Sequence, residues 1–134
     1  MKKIISITLI MLIVLTSFNF AIAQENTYTP NAVVESGYGT FLSWGAITTT
    51  HYYCNPGDIY GGIISYINGT GTMRIQIYKV GSSTPIATYT AVGPLNDDIG
   101  EGGSVTIATA GYYYVKFTNI SSNSLDVSYA VVYN

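Results

Sequence analysis

Catalytic chemistry needs groups that meet, and this chain offers few candidates. His51 is its only histidine and Cys54 its only cysteine. Three residues apart, they suggest a thiol nucleophile served by an imidazole base. In an extended segment, positions i and i+3 point to opposite faces, so the pair would not meet. A second cluster is acidic: Asn96-Asp97-Asp98-Ile99-Gly100-Glu101 places three carboxylates in a glycine-containing stretch. Hard oxygen ligands in a flexible loop suit calcium. The EF-hand spacing is absent, however, and a solvated acidic turn accounts for the same residues. No Cys/His spacing matches a zinc site. The expectation is a protein that is not an enzyme, with no catalytic residue, no metal and no cofactor.

The aromatic residues carry more information. The stretch Thr109-Ala110-Gly111-Tyr112-Tyr113-Tyr114-Val115-Lys116-Phe117 holds three tyrosines in a row. A strand turns successive side chains to opposite faces. Tyr113, Val115 and Phe117 then form a core face, with the Tyr113 hydroxyl reaching a partner at the rim. Tyr112, Tyr114 and Lys116 form the other face. Over 73–80 the same alternation sets Met73, Ile75 and Ile77 against Arg74, Gln76 and Tyr78. If the two strands are neighbours, Tyr112, Tyr114, Tyr78, Gln76 and Arg74 make an aromatic-polar patch. Such a patch suits the apolar C–H faces of polysaccharide, and it equally suits a surface protein, since tyrosine is enriched at protein contacts. Cross-strand aromatic pairs also stabilise sheets with no ligand at all.

The rest of the chain must position these groups. Residues 1–23 read as a secretory signal peptide: Lys2 and Lys3, an apolar run, then Ala21-Ile22-Ala23. Cleavage there predicts a secreted chain without stable membrane insertion. Residues 24–39 read as an N-terminal arm or a first edge strand, and 40–134 as one domain. β-forming residues dominate, with strands expected over 40–50, 60–68, 72–80, 85–91, 103–109, 112–119 and 124–133. Turn residues separate them, including Asn55-Pro56-Gly57-Asp58 and Asn68-Gly69-Thr70-Gly71. Seven short strands without helical periodicity predict an all-β fold, a single antiparallel β-sandwich of jelly-roll-like type. Asn68-Gly69-Thr70 and Asn119-Ile120-Ser121 match the N-glycosylation pattern.

After cleavage the chain keeps three basic against seven acidic side chains, a net charge of −4. So few cations cannot neutralise a run of phosphates, which argues against nucleic acid as a partner. One cysteine makes no internal disulfide; Cys54 is either a small buried hydrophobe or a thiol able to link two subunits. From residue 57 to 133 the order of features resembles bacterial pre-peptidase C-terminal domains and related secreted jelly-roll modules. The pieces that carry the resemblance are 58–67, 74–80 (RIQIYKV), 103–107 (GSVTI) and 111–117 (GYYYVKF). It implies an accessory, non-catalytic role at an extracellular enzyme or surface. Two functions are therefore expected: a secreted module binding polysaccharide or a surface protein, or a structural subunit of an extracellular fibre or matrix. In the second, the arm self-assembles into a neighbour's sheet by strand addition.

Overall fold

A computed structural model describes residues 32–134. The expected signal peptide, 1–23, and the first part of the expected arm, 24–31, lie outside the described residues. Seven strands follow in order: β1 (Ala32–Phe41), β2 (Ala46–Thr48), β3 (Tyr52–Cys54), β4 (Ile59–Lys79), β5 (Ala87–Thr106), β6 (Gly111–Asn119) and β7 (Leu125–Tyr133). Every pairing is antiparallel. The fold is the all-β, antiparallel sandwich that the strand pattern predicts.

One long hairpin organises it. β4 pairs with β5 from Ile59↔Thr106 to Ile77↔Ala87. Along its other edge, β4 takes β7 over its first half and β6 over its second. The first half thus builds one layer with β7 and β1, and the second builds another with β6, β2 and β3. The hairpin passes from layer to layer at Ile67–Gly71, where the β4–β5 register shifts. Gly69 sits there at φ +100°, a left-handed backbone that a side chain would strain. Ile64, Ile67, Val127 and Val131 from one layer meet Met73, Ile75, Ile77, Val115 and Phe117 from the other in a single core cluster.

Three expected boundaries change. Residues 60–68 and 72–80 are one strand, because β5 carries the ladder past the turn-like Asn68–Gly71 on both sides. Residues 85–91 and 103–109 are likewise replaced by one strand, β5, so the acidic stretch 96–101 is bent strand rather than free loop. The expected strand over 40–50 is broken: Gly45 N–H donates to Leu42 O at 2.8 Å, closing a turn between β1 and β2. Residues 32–39 belong to β1, an edge strand whose one partner among the described residues is β7. Between β2 and β3, Thr49 stands in for a strand residue. Its N–H donates to Val115 O, and its hydroxyl accepts from Val115 N–H, both at 3.0 Å.

Candidate functional site

The fold brings the five residues of the expected patch onto one face. Tyr78 lies opposite Tyr114, Gln76 opposite Lys116 and Arg74 opposite Thr118 on the face away from the core, although Thr118 is buried and the Arg74 Nε is enclosed without a partner. Tyr112 continues the row and meets Tyr53 edge-on, with ring centroids 5.2 Å apart. Tyr113 points inward, and its hydroxyl donates to Thr109 O.

Ring contacts run along this face. Tyr78 lies against Tyr114 at 5.3 Å with an interplanar angle of 10°. From the β3 side, the His51 ring lies 5.2 Å from that of Tyr114, tilted by 31°. Tyr114 thus has an aromatic neighbour on each side along the sheet, and such a ladder stabilises the cross-strand pairing by itself. His51, committed to this stack, is exposed, whereas Cys54 is fully buried. Burial, and then the charge of Asp58, push the Cys54 thiol up to about 11. Of the two roles expected for Cys54, this is the packed hydrophobe; from 0 % exposure it has no path to a second subunit.

The acidic residues do not converge either. Asp97 accepts from Ile99 N–H at 2.9 Å and Glu101 from Val92 N–H at 2.8 Å. Among the described residues no three His, Cys, Asp or Glu side chains could hold a metal together. Of the two glycosylation motifs, Asn68 is exposed. Asn119 is 0 % exposed and donates its amide to the carbonyls of Phe41, Leu42 and Asn123.

Where the layers' edges face each other, side chains stitch them together. On the β5 side, Glu101 takes Val92 N–H and the Tyr89 hydroxyl donates to Ser104 O at 2.9 Å. On the other side, Thr50 N–H donates to Glu35 at 3.0 Å and the Tyr52 hydroxyl to Val34 O at 3.1 Å. These bonds satisfy edge groups that would otherwise recruit another strand. Further along that side the stitching stops. Between Tyr38–Phe41 of β1 and Gly45–Ile47 lies an open cleft of about 370 Å³, floored by Phe41, Ile47 and Tyr129.

Large apolar side chains flank this cleft. Leu42 is 68 % exposed and Trp44 65 %, whereas the ring of Tyr38, 67 % exposed, turns to the outer face of its layer, 6.3 Å from Tyr66. Trp44 occupies a left-handed backbone, φ 61°, in the turn that Gly45 closes. A non-glycine residue there costs about 1–2 kcal/mol. Asn119 pins the turn from below through its bonds to Phe41 and Leu42. None of these residues stood out in the sequence, where Trp44 reads as one more β-former; the sole local signal is the adjacent Gly45.

Among the described residues, fold and site define a β-sandwich with an unstitched seam between β1 and β2 rimmed by Trp44. No protein-family model and no curated protein matches the chain. Among solved structures it is similar to Aeromonas hydrophila PliG, a periplasmic lysozyme inhibitor of g-type lysozyme. That match has a TM-score of 0.54 at 14 % identity, covering 81 % of this chain and 93 % of that one. The likeness shows a shared fold. The Drosophila melanogaster CENP-C cupin domain matches at 0.35 and 11 %, over 81 % and 65 % of the two chains. A subunit from the Bacillus endospore appendages that form disulfide-linked pili matches at 0.32 and 17 %, over 81 % and 94 %. Both are too distant to carry an argument.

Proposed function

We propose that this chain is a secreted, non-catalytic recognition module that grips another protein at the seam between β1 and β2. One observation carries the reading. An unstitched stretch of edge between β1 and β2 holds an apolar cleft flanked by exposed Leu42 and Trp44. A tryptophan beside a concave apolar surface is a usual anchor of protein contacts. Unpaired strand edges add main-chain hydrogen bonds for an extended segment. The separation of His51 from buried Cys54 supports a role without catalysis. PliG supports the same reading, since an enzyme inhibitor of this fold acts on another protein. So does the accessory role implied by the resemblance of residues 57–133 to secreted jelly-roll modules.

A selection of displayed random peptides on the processed chain tests this. Enriched peptides should carry alternating apolar residues, keep binding to Tyr112→Ala, and lose it on Gly39→Phe, which fills the cleft. Peptides that ignore Gly39→Phe and depend on Tyr112 would move the site to the tyrosine face and end the proposal.

A further inference from the structure

The residues ahead of β1 supply an occupant for the seam. We propose that residues 24–31 of a second copy of this chain add as a strand between β1 and β2, with Tyr28 in the cleft, so that copies join head to tail. This rests on the seam being the binding site.

Among the described residues, neither wall of the seam has a strand partner on its open side. Ile59 and Asn134 exchange both their bonds, at 2.8 and 2.9 Å. Alternation then turns even-numbered residues of β7 toward β4 and odd-numbered ones toward β1, which leaves the backbone groups of Tyr38 and Thr40 facing the open edge. On the opposite wall, Gly45 O and Thr49 N–H serve β6. The groups of Ala46 and Thr48 therefore face β1 across the gap. A strand placed between them would bond on both sides.

The segment has the right length and chemistry. Eight residues lie between the expected processing point after Ala23 and Ala32. Extended, they reach about 26 Å, at roughly 3.3 Å per residue, more than the four residues of open β1 edge require. Asn26-Thr27-Tyr28-Thr29 is uncharged, and its Thr27-Tyr28-Thr29 part is β-forming. Alternation sends Tyr28 to one face and both threonines to the other. A tyrosine matches a cleft floored by Phe41, Ile47 and Tyr129 and open to water at its mouth. Pro30, with no N–H to donate, ends the added strand.

A second copy fits better than the chain's own arm. To reach its own seam, the arm would have to turn back along β1, where the Tyr52 hydroxyl and the Glu35–Thr50 bond already occupy the edge. Donor and acceptor are then different surfaces of each copy, a geometry that propagates rather than closing into a two-fold dimer.

Sedimentation velocity on the processed chain, residues 24–134, tests this with two variants. Tyr28→Asp spoils the donor and leaves the seam intact; Gly39→Phe blocks the seam and leaves the donor intact. The wild type should form species larger than a monomer, rising with concentration. Each variant alone should sediment as a monomer, and an equimolar mixture should form one discrete dimer of one copy each. Far-UV circular dichroism checks that Gly39→Phe is folded, with Gly39→Leu as the second blocking variant. A monomeric wild type, a mixture that stays monomeric, or variants that assemble like wild type would each overturn the inference. If peptides selected against the seam still bind a monomeric wild type, the recognition module stands and only self-addition falls. If no peptide binds the seam either, both fall.

Discussion

The ring of Tyr129 occupies the space in which a side chain on Gly37, its cross-strand partner, would stand. The bare backbone of β1 is thus covered at Gly37 by an aromatic from β7, a pairing that supports glycine in a strand. Two residues on, at Gly39, nothing lies within 4 Å of where a side chain would begin. The cleft exists because one glycine is covered and the next is not.

Gly39→Leu should therefore stabilise the fold. It fills apolar space without a clash and removes the entropic cost of glycine in a strand, together worth about 1–2 kcal/mol. A rise in the urea midpoint with an unchanged slope checks this. A drop would mean that the cleft walls are closer than the vacant space around Gly39 indicates.

Trp44→Gly separates stability from binding at the adjoining turn. Glycine accepts φ 61° freely, so the folded state should gain about 1 kcal/mol. The same change removes the most prominent aromatic at the rim, and affinity for a seam-binding peptide should fall by tenfold or more. A tryptophan that strains its own backbone yet faces water is consistent with a binding role. Unchanged affinity would show that Trp44 is merely tolerated.

Asn119 should be among the least replaceable polar residues. It is fully buried, and its amide holds three carbonyls while its own oxygen accepts from Ser121 N–H at 2.9 Å. Asn119→Ala strands those groups, a loss of about 2–3 kcal/mol. Thermal denaturation followed by circular dichroism measures it. The exposed Tyr112→Ala, compared in parallel, should cost less than about 1 kcal/mol.

The alternating positions of β6 and the second half of β4 were legible because a period of two is local. Met73, Ile75 and Ile77 go inward whatever the topology around them. The passage of β4 through Asn68–Gly71 was not legible, because those residues carry the chemistry of a turn; only pairing with β5 beyond them makes the segment a strand. The face shared by Tyr78 and Tyr114 followed from alternation once β4 and β6 were taken as neighbours. The contact of His51 with Tyr114 did not, since it depends on the non-local pairing of β3 with β6. The seam was hidden for a different reason: it is defined by a side chain that Gly39 lacks and by two strand ends joined across a turn.

Alkaline pH should reveal the burial of Cys54. Its thiol is raised from the ordinary 9.0 to about 11, by burial first and by the charge of Asp58 second. Between those values the unfolded chain has lost a proton that the folded chain keeps, so protons favour folding. The stabilisation is complete below 9.0 and declines as pH rises toward 11. Its size is about 1–3 kcal/mol. Tyr60, Tyr113 and Tyr129 are also raised above the ordinary 10.0 by burial, which adds a second decline at higher pH. Guanidinium midpoints measured as pH rises should therefore begin to fall near 9.0 in the wild type. In Cys54→Ala the first decline should vanish and the fall should begin near 10.0, from the tyrosines alone. Identical profiles for the two proteins would mean that the thiol reaches solvent. In that case a thiol reagent should label the native protein as fast as the denatured chain, and a cross-link through Cys54 would return as a route to assembly.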